Sequence, residues 1–280
     1  MKRIIAIMAV LLCLGFIGTA TATQYQIYTM QYSRLDNYPV DAILFATDRG
    51  KTMTVPFSYN YFKGDGGQEY MFDTGYNNVA LGIQWGAPAG AWVSLADNLR
   101  KVGTSPERIS NVFIGHMHWD HAGGLSDFPE AIFWVQKKEI EFAAGEITQK
   151  NHLKAGFVEA DVLNLIRLNW EGRVRIVKGD EINALPGISF YLTPGHTAGT
   201  QCVGVNTRKG IIPVVGDVVY TYRNLKENIP LGFGYDSAQM LDSYDKIKKI
   251  MGTGTIFVPG HDPDFFNMFP KVAEGVVRVD

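Results

Sequence analysis

Cysteine is scarce in this chain: of 280 residues only Cys13 and Cys202 carry a thiol. A fold stapled by disulfides is therefore excluded, and stability has to come from core packing or from bound metal. Charge of one sign is equally short, with 26 Lys and Arg against 28 Asp and Glu and no long run of either. The formal net charge of −2 carries no basic footprint, which argues against nucleic acid and acidic membrane as partners. Internal repeats, heptads and low-complexity tracts are also missing, so solenoids and coiled coils are excluded. What is present is 46% hydrophobic residues with only 19% charged ones, enough for a packed core.

The N-terminus departs from the rest. Met1-Lys2-Arg3 is a positive start, Ile4 to Ile17 is almost unbroken apolar sequence, and Ala20-Thr21-Ala22 offers the small residues of a cleavage site. Residues 1–22 read as a secretory signal peptide cut after Ala22, which predicts a periplasmic or secreted protein with no stable membrane contact once the signal is gone. An uncleaved anchor or a buried helix is the competing reading, disfavoured because the apolar run is short for a span. Cleavage would remove Cys13, Lys2 and Arg3, taking the net charge to −4 and leaving Cys202 as a small buried core residue.

Beyond residue 22, short β-rich stretches alternate with glycine-rich turns. Gln24 to Met30, Ala42 to Ala46, Thr52 to Tyr61, Glu69 to Phe72, Val112 to Ile114, Ile132 to Val135, Ile188 to Leu192, Ile211 to Val215 and Thr255 to Val258 are expected strands. Gly64-Asp65-Gly66-Gly67 is an expected hairpin turn. Helical spacing is expected over Ala91 to Val102, Lys137 to Ala144 and Ser237 to Ile250, the last capped by Asp236 or Ser237 and stopped by Gly252. No linker is visible, so residues 23–280 read as one domain of mixed α and β structure.

The chemistry lies in His116-Met117-His118-Trp119-Asp120-His121, which holds three of the six histidines and an aspartate. Imidazole and carboxylate suit a borderline divalent ion such as zinc. His116 and His118, two apart, point the same way in an extended segment and can grip one ion, while Asp120 and His121 follow the turn toward a second. Further histidines and aspartates also follow short apolar strands: His196 in Pro194-Gly195-His196, Asp217 in Val215-Gly216-Asp217, and His261 in Pro259-Gly260-His261. His152, in a polar stretch, reads as a solvent-exposed bystander.

The pattern His-x-His-x-Asp-His, followed in order by these three motifs and preceded by Asp73-Thr74-Gly75, resembles the metallo-β-lactamase superfamily and, within it, the N-acyl-homoserine lactonase group. The resemblance implies an α/β fold, a four-layer αβ/βα sandwich of two facing sheets with helices outside. It implies two divalent metal ions, zinc first with iron, manganese or cobalt open. His116, His118 and His196 would hold one ion, Asp120, His121 and His261 the other, with Asp217 bridging and Asp73 orienting a ligand. In that group a tyrosine at the place of Tyr220 hydrogen-bonds the substrate carbonyl or ring oxygen. The implied catalytic residues are thus Tyr220, for the oxyanion, and Asp120, as a proton shuttle.

The implied reaction is attack by a hydroxide between the metals on a lactone carbonyl, with an ester as the related small-molecule substrate. An apolar groove for an acyl chain is expected from Phe57, Tyr59, Tyr61, Phe62, Trp119 and the Leu231-to-Tyr235 stretch. A metallo-β-lactamase and an organophosphate or aryl-ester hydrolase are the alternatives, and a non-catalytic metal-binding protein is the alternative of a different class. Thioesterases of the glyoxalase type, tail-processing ribonucleases and flavodiiron proteins need extra domains or basic arms that this chain lacks. A monomer and a homodimer are both left open.

Overall fold

The computed structural model describes residues 23–145 and 151–280; the expected signal peptide lies outside the described residues. The strands are β1 Tyr25–Pro39, β2 Thr52–Gly64, β3 Glu69–Phe72, β4 Asn111–Phe113, β5 Ile132–Gln136, β6 Val174–Val177 and β7 Glu181–Leu185. They continue as β8 Ile188–Leu192, β9 Gln201–Thr207, β10 Gly210–Gly216, β11 Val258–Pro259, β12 Lys271–Ala273 and β13 Val276–Arg278. An eight-stranded sheet runs β12-β13-β1-β2-β3-β4-β5-β6, and a five-stranded sheet runs β11-β10-β9-β8-β7. In the first, β3 through β6 are mutually parallel and the remaining pairs antiparallel.

Strand alternation explains the layering, because successive side chains leave a strand on opposite faces. In β4 and β5, Phe113 and Trp134 join Tyr25, Phe62 and Phe72 in a core shared with Phe190, Val203, Val205 and Val214 of the second sheet. Their neighbours Val112, Phe133 and Val135 instead join the core that includes helix residues Leu95, Leu99, Leu165 and Leu168. On the outside of the second sheet, Cys202 and Val215 meet Met240, Tyr244 and Ile247. Two sheets face each other with helices on both outer faces, the expected four-layer αβ/βα sandwich. Cys202 is fully buried, as its apolar surroundings predict.

Most expected elements sit where the sequence places them. The helix Ser237–Met251 buries Met240, Ser243, Tyr244 and Ile247 at helical spacing. Asp236 caps it by accepting from the N–H groups of Ala238 and Gln239, and Gly252 ends it at φ 56°. Around the hairpin, Gly64 N–H donates to the Gln68 carbonyl at 2.8 Å and Gly67 N–H to that of Gly64 at 3.0 Å.

Three expectations are corrected. Ala42 to Ala46 is not a strand: Val40–Ile43 is a helical turn, with Leu44 N–H donating to the Val40 carbonyl. Ile43 and Leu44 are buried outside any sheet, while Phe45 is exposed and its N–H donates to the Pro230 carbonyl. The helix expected from Ala91 spans only Leu95–Arg100, because the Ser94 hydroxyl accepts from Asp97 N–H and fixes the start. Of the stretch Thr255 to Val258 only the end is strand, continuing to Pro259. The helix Glu159–Trp170 and β6, β7, β12 and β13 were not foreseen.

Candidate metal centre

Each site residue follows the end of a strand. Asp73 follows β3 at φ 64°, a left-handed conformation that an aspartate rarely adopts and that turns its carboxylate inward. His116 and His118 follow β4, and His118 begins the helical turn Trp119–Ala122 that carries Asp120 and His121. His196 follows β8, Asp217 β10 and His261 β11. Gly195, at φ 138°, lies so close to the helix 237–251 that an added Cβ would sit 2.5 Å from the Met240 backbone, so only glycine fits before His196.

The seven residues expected from sequence meet as two adjoining groups. His116, His118 and His196 form one; Asp120, His121, Asp217 and His261 form the other. Asp217 connects them. Its Oδ1 lies 3.2 Å from His121 Nε2 and 3.0 Å from His261 Nε2, while its Oδ2 lies 3.4 Å from His196 Nε2 and 3.9 Å from His116 Nε2. One oxygen therefore faces each group, the placement a bridging carboxylate needs.

Neighbouring groups fix the ring orientations. Asp73 Oδ2 lies 2.7 Å from His121 Nδ1, and Asp73 Oδ1 accepts from Gly115 N–H at 2.6 Å. The Pro56 carbonyl accepts from His261 Nδ1 at 2.8 Å. In both histidines Nε2 is left to face the centre, the arrangement that carboxylate or carbonyl partners impose on metal-holding imidazoles. The expected orienting role of Asp73 has this geometric basis.

The site fits a pair of cations. Buried without a hydrogen-bond partner are both ring nitrogens of His116, Nε2 of His121 and His261, Nδ1 of His196, and Asp217 Oδ1. Leaving such groups unsatisfied costs about 1–3 kcal/mol each, a penalty that coordination would remove at Asp217 and at the one nitrogen each ring turns to the centre. His118 Nδ1 and His196 Nε2 face each other at 3.0 Å. A tetrahedral ion with nitrogen ligands at about 2.05 Å sets ligand-to-ligand edges of about 3.3 Å, close to these spacings.

Protonation differs between the groups. Burial, together with neighbouring imidazoles, pushes His116 well down, His118 to about 3 and His196 to about 4. For His121 and His261 burial also opposes charge, but Asp217 and Asp120 outweigh it and both are raised, His121 well above its usual value. Burial disfavours the Asp217 and Asp120 carboxylates too, yet the histidines beside them hold both low. At neutral pH the three-histidine group is an uncharged donor set, whereas the other group keeps a proton on His121.

Tyr220 stands over both groups. Its ring lies edge-on to His261 at 4.4 Å and tilted to His196 at 5.7 Å, and its backbone carbonyl accepts from His261 N–H at 2.9 Å. Burial and then the Asp217 and Asp120 carboxylates raise its pKa well above the usual value, so the phenol stays protonated and can donate. A cavity of roughly 300 Å³ opens here, lined by His118, Asp120, His196 and Tyr220 together with the apolar Leu35, Phe57, Trp85, Trp119, Phe142 and Phe157.

Of the residues expected to form that groove, Phe57, Trp119, Phe233, Gly234 and Tyr235 line it. Tyr59, Tyr61, Phe62, Leu231 and Gly232 do not; the first four are core residues, Phe62 between the sheets. Strand β2 passes the site at Phe57 and then runs deeper into the sheet. His152 is exposed but lines the cavity, so it is not a bystander remote from the site. Leu35, Tyr38 and Trp85 were not foreseen. Leu35 and Tyr38, three apart on β1, would face opposite ways in a regular strand. A break in register between them, with Asn37 at φ 56°, brings both to the same cavity.

Metal binding to the stripped protein should release protons only from the group that holds them. Affinity of the Asp120, His121, Asp217 and His261 group is expected to rise as pH rises beyond the usual histidine range, because His121 must lose its proton; that of the three-histidine group should stay flat well above pH 4. Calorimetric zinc titrations in buffers of different ionisation enthalpy read this directly, and equal proton release for both equivalents would contradict it.

The similarities to known proteins agree with this geometry. The N-acyl homoserine lactonase of Bacillus cereus is 31% identical over 166 residues, which is 59% of this chain and 60% of that protein. The N-acyl homoserine lactonase AttM of Azorhizobium caulinodans is 28% identical over 186 residues, covering 62% and 65%. The chain thus spans less than two thirds of the length of these relatives. In structure, a quorum-quenching N-acyl homoserine lactone lactonase superposes with a TM-score of 0.73 at 22% identity, over 92% of this chain and 99% of that one. The dizinc quorum-quenching lactonase AidC does so at 0.67 and 16% identity, over 87% and 89%. A sequence profile of the metallo-beta-lactamase superfamily matches residues 53–261, a stretch that contains every residue of the two groups. The chain belongs to the metallo-β-lactamase superfamily.

Proposed function

We propose that this protein is an exported, dinuclear metal-dependent hydrolase that opens N-acyl-homoserine or related lactones. The observation that carries the reading is the placement of Tyr220, its ring against one histidine of each group on the wall of a largely apolar cavity. The likeness to lactonases over part of their length supports the same choice. His116, His118 and His196 would hold one divalent ion, Asp120, His121 and His261 the other, and Asp217 both; zinc fits this nitrogen-and-carboxylate set. When bound, such ions polarise a carbonyl and make hydroxide available near neutral pH.

The chain's own residues supply the rest. Tyr220 donates a hydrogen bond to the lactone carbonyl oxygen, and that bond strengthens as charge develops there in the tetrahedral transition state. Asp120, whose Oδ2 lies 3.3 Å from His121 Nε2, is an unprotonated carboxylate at the cavity wall; it can accept the proton given up by the attacking water and then pass it to the ring oxygen as the C–O bond breaks. Leu35, Trp85, Phe142 and Phe157 exclude water and hold an acyl chain away from the centre. Asp73 and the Pro56 carbonyl keep His121 and His261 aimed.

Initial rates of the zinc-loaded protein on acyl-homoserine lactones, simple γ-lactones, a chromogenic cephalosporin and paraoxon test the assignment. Lactone turnover is expected, with kcat reduced about a hundredfold or more in Tyr220→Phe and KM little changed. Turnover of the cephalosporin or paraoxon without lactone hydrolysis would instead favour the β-lactamase or organophosphate readings. Export is tested separately, by sequencing the N-terminus of protein recovered from a periplasmic extract. The mature chain is expected to start at Thr23, and a retained Met1 would contradict cleavage.

A further inference from the structure

The helix Lys137–Ala144 has an unusual buried face. Glu139, Phe142 and Ala143 share it at helical spacing, so a carboxylate occupies a position where an apolar side chain would pack. Glu139 is fully buried, and its hydrogen bonds go to none of the residues assigned to the reaction. Burial pushes its carboxyl up, and no cation pairs with it among the interactions of the described residues. A buried carboxyl of this kind is costly unless its oxygens are hydrogen-bonded.

They are, and the partners are informative. Glu139 Oε1 accepts from Met117 N–H at 2.8 Å, and Met117 lies between His116 and His118. Glu139 Oε2 accepts from the Thr197 hydroxyl at 2.7 Å and from Gly199 N–H at 3.0 Å, both just past His196. One carboxylate thus joins the loop after β4 to the loop after β8. The junction is tight: a Cβ on Gly199 would lie 2.1 Å from the Glu139 backbone nitrogen. The segment leading into His116 is held differently, since Gln201 N–H donates to the Gly115 carbonyl and Gln201 Nε2 to that of Ile114. His118 also meets His196 directly, ring to ring, and pairs with Phe157, but Glu139 is the side chain whose hydrogen bonds join the backbone beside His118 to the loop of His196.

We propose that Glu139 is a positioning residue that fixes His118 against His196 and thereby sets the affinity of the three-histidine half of the centre. The proposal rests on the dinuclear reading above and makes the two halves unequal in their dependence on one side chain. The four-residue group takes its orientation from Asp73 and Pro56, and among the described residues none of its hydrogen bonds goes to Glu139. Glutamine at 139 keeps the shape but turns one acceptor into a donor. Whichever way its amide is placed, it sets an NH₂ against a backbone N–H, that of Met117 or that of Gly199.

The test is metal titration of stripped Glu139→Gln with Zn²⁺ against a chromophoric chelator, and with Co²⁺ read by visible absorption. One of the two equivalents is expected to weaken by about ten- to a hundredfold while the other stays at its wild-type affinity. The half-loaded Co²⁺ spectrum should match that of His118→Ala, which marks the same group. Thr197→Val, which removes only the hydroxyl donor, should weaken the same equivalent by less. Leu165→Ala, a core deletion in the helix 159–170, should lower Tm without separating the two equivalents. Equal weakening of both, unchanged binding of both, or the same separation in Leu165→Ala would overturn the proposal. Wild-type protein that binds fewer than two ions would instead sink the dinuclear reading itself, and this proposal with it.

Discussion

The buried carboxylate of Asp217, with one oxygen toward each of two sets of histidines, is the contact around which the rest of the structure is arranged. Asp217, His116, His121, His196 and His261 are each no more than 2% exposed. Burying such groups without partners works against folding. Several of their ring nitrogens and Asp217 Oδ1 lack a hydrogen-bond partner and converge on two adjoining points, an arrangement that a pair of cations would satisfy. The strain at Asp73 and the close pass of Gly195 over the helix 237–251 are local costs borne to keep that convergence.

The sandwich supplies the means. Two sheets packed through Phe72, Phe113, Phe190, Val203 and Val214 bring the ends of β3, β4, β8, β10 and β11 to the same place, so residues far apart in sequence meet on short loops. Rigid strands hold the loop bases while the loops present side chains. The apolar cavity arises from the same packing: Trp119, in the turn that carries Asp120 and His121, stacks on Trp85 at 5.7 Å and meets Phe57 edge-on. Chemistry and binding surface share one helical turn.

Much of this was legible in the sequence because metal ligation demands particular residue types at short range. His116-x-His118-x-Asp120-His121 announces itself, and the strand-then-Gly or Pro setting of His196, Asp217 and His261 places them at strand ends. The helix 237–251 was legible because cap, apolar face and stop agree. Other features depend on contacts that leave no local pattern. Leu35 and Tyr38 reach the cavity only through a break in β1 register, and Ala42 to Ala46 has β-rich composition yet packs as a turn and loop beside Pro230. Tyr59 and Phe62 are as aromatic as Phe57 but lie beyond the cavity on the same strand. Glu139 left one faint signal, a charge in register with Phe142 and Ala143, which composition alone reads as a solvated helix end.

Anomalous diffraction from crystals of the zinc-loaded protein tests the central claim most directly. Two peaks are expected, one within bonding distance of His116, His118 and His196 and one within reach of Asp120, His121 and His261, with a different Asp217 oxygen on each. A single peak, or two peaks with Asp217 bound to only one of them, would contradict the account.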